Sequence, residues 1–142
     1  MFHFQLVALS GLKFDGDVTE VILPTLDGEI GVEAHHMPLV SVATTGIIAV
    51  RREPKDHDRQ RDYFAVSGGV IEVSNNTLRI LVDEADHADT INEAEAQAAI
   101  DRAKQMKAEA GDQVSLEHAQ ALMDRHTVRL QVANLKRRHQ KH

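Results

Sequence analysis

Cysteine and tryptophan are absent, and rings are scarce: four phenylalanines and one tyrosine make up 4% of the 142 residues. Without cysteine there is no disulfide, no thiolate nucleophile and no sulfur-ligated metal, which is consistent with a reducing compartment. So few rings argue against a nucleic-acid platform, which needs aromatic faces for bases to stack on. No apolar run approaches the roughly 20 residues needed to cross a bilayer. The opening, MFHFQLVALSG, has no positive n-region and reads as a first strand, not a signal peptide.

Catalytic and metal-binding patterns are missing as well. The nine histidines build no metal site. His35 and His36 are adjacent, so their side chains diverge in an extended segment. His118 and His126 are too far apart for the i,i+4 pairing of a helical zinc site. No HExxH, CxxC, calcium loop or GxxxxGK occurs, and Gly28, Gly31, Gly68 and Gly69 are spaced for turns and bulges. Ser67-Gly68-Gly69 lacks the flanks of a nucleophile elbow. Asp27 and Glu29 fall in a tight turn, where both carboxylates stay solvated. The expectation is therefore a protein with no catalytic residue, no metal and no cofactor.

What is present changes character near Asp86. Upstream, short alternating segments are punctuated by glycine. His3 to Leu9, Val18 to Leu23, Val40 to Ala43, Gly46 to Val50, Tyr63 to Val66, Val70 to Val73 and Thr77 to Val82 all read as strands. Ile30 and Val32 continue the alternation after an Asp27-Gly28 hairpin turn. Phe14-Asp15-Gly16-Asp17 and Ser74-Asn75-Asn76 read as turns. Residues 51–62, RREPKDHDRQRD, contain no apolar residue except Pro54 and predict an exposed hairpin loop. Eight to ten short strands favour a sandwich or flattened barrel. The predicted fold is mainly β with a helical appendage: residues 1–86 form the sandwich, and 87–142 form an antiparallel helical hairpin with a basic tail.

The two helices differ. In the first, Ala96, Ala99, Ile100, Ala103, Met106 and Ala110 recur at threes and fours; Thr90 or Asn92 caps the start and Gly111 ends it. An alanine face permits close approach but removes little area from water. The second helix, with Ser115 as its expected cap, carries two stripes. Leu116, Ala119, Leu122, Met123, Leu130 and Ala133 suit the first helix. Ala121, Val128, Val132 and Leu135 lie nearly opposite and need either the β body or a partner.

Charge divides along the same line. Residues 1–111 hold 10 basic and 19 acidic side chains, a balance of −9, and residues 112–142 hold 6 and 3, a balance of +3. The body repels nucleic acid. The arm is attracted to an acidic surface, on a partner or on this body itself. The tail, Lys136-Arg137-Arg138 to Lys141, also suits the negative end of the helix dipole.

Two segments carry a resemblance. Gly28-Glu29-Ile30-Gly31-Val32 to His36-Met37-Pro38-Leu39 resembles the GE-x-G-I-x-x-x-H-x-P-L signature of the epsilon subunits of bacterial F-type ATP synthases. Phe64 to Val73, FAVSGGVIEV, resembles their F-x-x-S-G-G-x-x-E-V signature. Phe14-x-Gly16, Val18-x-x-Val21 and Pro24 match at the start, and Ala121-Leu122 and Arg129-Leu130-Gln131-Val132 near the end, so the likeness spans essentially the whole chain.

The resemblance implies a ten-stranded β sandwich followed by a helical hairpin. It implies a non-catalytic rotor subunit of the central stalk that binds the gamma subunit and the c-subunit ring and helps couple proton or sodium flow to ATP synthesis. Its location would be peripheral, on the cytoplasmic face of the bacterial membrane, through the rotor alone. The helices of such subunits can extend along gamma toward the alpha/beta catalytic head and inhibit ATP hydrolysis. Glu29, His36, Pro38 and Leu39 match the region assigned to the c ring, with His36 expected to order its loop by hydrogen bonds. Gly68, Gly69 and Glu72 match the sandwich motif, the glycines serving backbone geometry. Arg125, Arg129, Lys136, Arg137 and Arg138 are candidates for the catalytic head on charge and position.

Three departures stand out. Some members bind ATP through I/L-D-x-x-R-A, where this chain reads Ile91-Asn92-Glu93-Ala94-Glu95-Ala96. A carboxylate at Glu95 repels phosphate, so ATP binding is expected to be weak or absent unless Arg102 substitutes. The 51–62 segment is longer and more charged than the family's usual hairpin. A proline usual near Ala34 is missing. The competing reading is an unrelated β-sandwich binding module with a helical dimerisation arm.

Overall fold

The computed structural model describes the backbone of residues 1–57 and 60–140, with side chains as far as Arg138. Asp58, Arg59 and Lys141, which belong to the predicted loop and tail, lie outside the described residues.

Ten strands form a nearly closed sheet: β1 (Phe2–Ala8), β2 (Gly11–Val18), β3 (Glu20–Thr25), β4 (Gly28–Glu33), β5 (Leu39–Ala43), β6 (Gly46–Arg51), β7 (Asp62–Val66), β8 (Gly69–Ser74), β9 (Thr77–Val82) and β10 (Ala85–His87). Spatial order is β10-β7-β6-β3-β5-β8-β9-β1-β2, with β4 on β3. β3 is the branch point. Val21 sits opposite Val32 of β4 on one side and Val50 of β6 on the other, and Thr25 meets Ala43 of β5. The sheet folds over there into one layer of β10, β7, β6, β3 and β4 and another of β5, β8, β9, β1 and β2.

Strict alternation supplies the core. Phe2, Phe4, Leu6 and Ala8 are buried along β1, as are Leu78, Ile80 and Val82 along β9, while their neighbours face outward. The layers close through rings: Phe4 lies 5.2 Å from Phe14, Phe14 6.1 Å from Phe64, and Phe64 5.0 Å from the imidazole of His87.

One predicted turn is corrected. Phe14 to Asp17 is part of β2, paired with β1 from Ala8↔Gly11 to Phe2↔Val18. Asp-Gly-Asp composition suggests a turn locally, but the long antiparallel pairing overrides it. A bulge between Leu6 and Val7 shifts the register, so Leu6 faces Phe14 and Val7 faces Leu12. The real turns are tighter. Asn75 and Asn76 both adopt positive φ in the two-residue β8–β9 loop, and Gly28 (φ 110°) closes the β3–β4 loop.

After β10, a short 3-10 turn (Ala88–Thr90) leads to α1 (Glu93–Ala108) and α2 (Gln113–Gln140), which pack antiparallel. Asn92 caps α1, its side chain accepting from the Glu95 amide at 2.9 Å. The cap of α2 is Asp112, which accepts from the Ser115 amide at 2.7 Å; Ser115 itself lies inside the helix. That bond holds the exposed Asp112 carboxyl below its usual range. α1 ends at Ala108, before Gly111. Ala96, Ala99, Ile100 and Ala103 are buried against α2, where Ala119 and Ala133 are also buried. Met106 remains 42% exposed, so the predicted stripe frays at its end.

Gly68 and Gly69 mark where strands approach too closely for a side chain. A Cβ on Gly69 would lie 1.9 Å from the Leu81 carbonyl oxygen, and one on Gly68 3.0 Å from that of Ala43. Gly69→Ala should cost about 3 kcal/mol, at the upper end of overpacking penalties, because backbone and not a flexible side chain must move. The check is the urea midpoint; an unchanged midpoint would refute the close-approach explanation.

Candidate docking surfaces and the seat of the helical arm

α2 seats its second stripe on the β6–β7 layer. Val132 is fully buried with Ala65 and Ala88, and Ile47, Tyr63, Ile91 and Val128 pack around them. The surface that the second stripe requires is thus largely the body itself. Leu135 faces Ile47 across an open groove rimmed by Asn134 and Arg138, and Ala121 remains exposed.

The basic face of α2 is engaged in the same way. Arg125 lies 3.8 Å from Glu84, Arg137 3.2 Å from Glu93, and Lys136 pairs with Asp89. Arg129 is the most deeply set. Its Nε is 3.1 Å from Asp86 and its Nη2 is 3.8 Å from Glu95, with 9% of the residue exposed. Four of the five cations expected to contact a partner therefore face the chain's own acids, all between Glu84 and Glu95. Arg138 is exposed and makes no ion pair among the described residues. Glu95, in the position where the resemblance would put an arginine, turns its carboxylate toward Arg129.

The predicted ring-facing residues do not share one surface. Glu29 stands near the start of β4 beside the β3–β4 turn, where exposed Leu26 also lies. His36, Pro38 and Leu39 follow the other end of β4, about 13 Å further along at 3.3 Å per residue. The His36 amide donates to the Glu33 carbonyl at 3.2 Å, and its Nδ1 donates to the Met37 carbonyl at 2.7 Å. His35 adopts positive φ at the missing proline's neighbourhood, and its amide donates to Asn76 Oδ1 at 2.8 Å. The Asn76 side chain also donates to the Met1 carbonyl, so it ties this loop to the start of β1.

A further surface escaped the sequence reading. On the outer face of the β5–β8–β9–β1–β2 layer, Val42, Val70, Leu81, Val7 and Leu12 stand opposite one another across five strands. Val42, Val70, Leu81 and Leu12 are each about half exposed, at 49%, 48%, 49% and 57%. The parallel row two residues along is Val40, Glu72, Arg79, Gln5 and Asp15, so Glu72 borders the apolar stripe on its polar side. The residues come from five separate segments, so no periodicity in the chain announces them.

The charged 51–62 segment folds back on the sandwich. Arg61 pairs with Glu20 at 2.8 Å, Arg52 pairs with Asp62, and the Arg52 guanidinium sits 5.0 Å from the Phe14 ring centre. Among the described residues no cluster of His, Asp and Glu could hold a metal, and no helix is long and apolar enough to cross a membrane.

Comparison with known proteins agrees with this architecture. Residues 1–88 match the family model of the ATP synthase delta/epsilon chain β-sandwich domain. The ATP synthase epsilon chain of Lactobacillus helveticus is 32% identical, over 96% of this chain and 94% of the relative. That of Xanthomonas campestris pv. campestris is 36% identical, over 91% and 89%. Among solved structures, a chain of the Euglena gracilis mitochondrial ATP synthase superposes with a TM-score of 0.75 at 21% identity, over 92% of this chain and 79% of that one. A chain from the Tetrahymena thermophila central stalk and c ring gives 0.61 at 15%, over 92% and 95%. The ten-stranded sandwich, the helical hairpin and relatives matched along nearly their full length lead to one conclusion: the chain belongs to the ATP synthase delta/epsilon family, as a bacterial-type epsilon chain, a non-catalytic subunit.

Proposed function

We propose that this subunit docks on gamma through the Val42–Val70–Leu81–Val7–Leu12 row, meets the c ring through the Glu29 turn, and carries its helices as a separable brake on ATP hydrolysis. The apolar row is the observation that carries the reading. It lies on the layer opposite the one α2 covers, so gamma can bind without displacing the arm. The ends of the sandwich divide the remaining contacts. Only the Glu29 end, with Leu26, is assigned to the ring, because His36, Pro38 and Leu39 follow the other end of β4. Coupling of ion flow to synthesis then needs no chemistry in this chain, only a rigid sandwich that turns with the rotor. Peripheral attachment at the cytoplasmic face of the membrane follows from those contacts.

The arm acts as a brake by exchanging partners. Arg125, Arg129, Lys136 and Arg137 face the chain's own acids when docked and would meet acidic surfaces of the alpha/beta head when released. The half-exposed pairs of Lys136 and Arg137 each contribute only about 0.2–1 kcal/mol, so most of the cost of exchange falls on the deeper Arg129. ATP is not a ligand in this reading, because Glu95 puts a carboxylate where the motif would put a phosphate-facing arginine.

Val70→Asp, at a half-exposed site that does not support the core, should weaken binding to an epsilon-free alpha/beta/gamma complex about 30-fold or more, as at an interface hot spot. Calorimetry measures this; full affinity in the variant would dismiss the row as the dock. In the same complex, the full chain should slow ATP hydrolysis, whereas a chain ending at Thr90, which keeps β10 and buried Ala88, should bind without slowing it. Equal rates with both would leave the rotor role and remove the brake. Equilibrium dialysis should find no ATP bound to the isolated chain at micromolar nucleotide; stoichiometric binding would overturn the argument from Glu95.

A further inference from the structure

Arg129 does more than pair with carboxylates. Its Nη1 donates to Nδ1 of His126, one turn earlier on α2, at 3.1 Å. A guanidinium has only donors, so this contact exists only while Nδ1 carries no proton and accepts. The same guanidinium reaches Asp86 on β10 and Glu95 on α1. Helix α2, helix α1 and the last strand of the sandwich therefore meet at one cation, whose orientation requires a neutral imidazole.

We propose that His126 makes the docked arm sensitive to acid: protonating it turns an accepted hydrogen bond into a donor-against-donor contact and weakens the Arg129 brace between arm and sandwich. The proposal deepens the brake reading by naming what regulates it, although docking itself is a property of this chain alone.

The surroundings of His126 agree. Its imidazole is held below the ordinary histidine range, first by burial and then by Arg129, Arg125 and Arg102, with Glu95 alone opposing. Arg125 and Arg129 lie on α2, Arg102 and Glu95 on α1. From the sandwich side, Glu84 and Asp86 face Arg125 and Arg129 and do not contact the imidazole directly. The sign follows. A released arm exposes His126 and restores a value near about 6.5. Docking therefore has its full stability above that value and loses it as pH falls toward the depressed docked value. One linked proton lowers the docked-to-released ratio by up to about tenfold per pH unit within that window.

Global stability cannot read this out, because a second histidine pulls the other way. His3 on β1 lies between Asp15 and Asp17 of β2, at 2.5 and 3.1 Å. Its imidazole is raised above the ordinary range, chiefly by its hydrogen bond to Asp17. That β1–β2 contact is fully present in acid and is lost as pH rises through the raised value. The readout must therefore be local to the arm.

The absence of native cysteine permits one. Asp27→Cys, in the β3–β4 turn away from His3, and Ala121→Cys, on α2, are both exposed positions for nitroxide labels on the full chain. Their distance distribution is measured by pulsed electron spin resonance at about pH 7.5, 6.5 and 5.5, across the histidine range. The docked distance should dominate at the highest pH and give way to longer, broader distances at the lowest. Adding His126→Gln, whose amide oxygen still accepts from Arg129, should hold the docked distance at all three. An unchanged distribution in the His126 chain would overturn the proposal, as would an equal response in the glutamine variant. Neither gamma, the ring nor the head is present, so this result stands or falls separately from the rotor assignment.

Discussion

The cation at Arg129 is the point on which the arm's position depends. α1 and α2 join largely through alanine, which brings the helices close but removes little area from water. α2 meets the sandwich through a small patch centred on Val132. Arg129 adds an ion pair with Asp86 of the last strand, a longer one with Glu95 of the partner helix and a hydrogen bond donated to the neutral imidazole of His126. Arg125, Lys136 and Arg137 extend the row to Glu84, Asp89 and Glu93.

The sandwich has the opposite character. Its interior is built mainly from apolar side chains, closed by Phe4, Phe14 and Phe64, and locked where Gly69 lets the β9 backbone approach. Its two outer faces differ. One is covered by α2, and the other keeps a half-exposed apolar row beside a polar one. One face of the sandwich is thus covered by the chain's own helix and the other is left with an apolar row.

Most of the strands were legible because burial follows period two, which survives reading one residue at a time. Phe14 to Asp17 was not, since its strand character comes from pairing with β1, and the bulge at Leu6 and Val7 alters the facing parity. The glycine pair was visible as a motif, but its cause, a carbonyl on a strand twelve residues away in sequence, was not. Both stripes of α2 could be read from the chain; that the body covers the second depends on where the hairpin lands. The cations of α2 were visible as charge. Their acids lie some 40 residues earlier, a separation that no local pattern encodes. The apolar row, drawn from five strands, had no sequence signal at all.

Amide hydrogen exchange on the isolated full chain, at low and at high salt, tests most directly whether arm and sandwich are held by different forces. Salt screens the ion pairs of α2 but strengthens or leaves unchanged the apolar core. The account predicts faster exchange across the arm at high salt, from Ala119 to Leu135, with β1, β8 and β9 protection unchanged or increased. Loss of protection in arm and sandwich together, or an arm indifferent to salt, would contradict it.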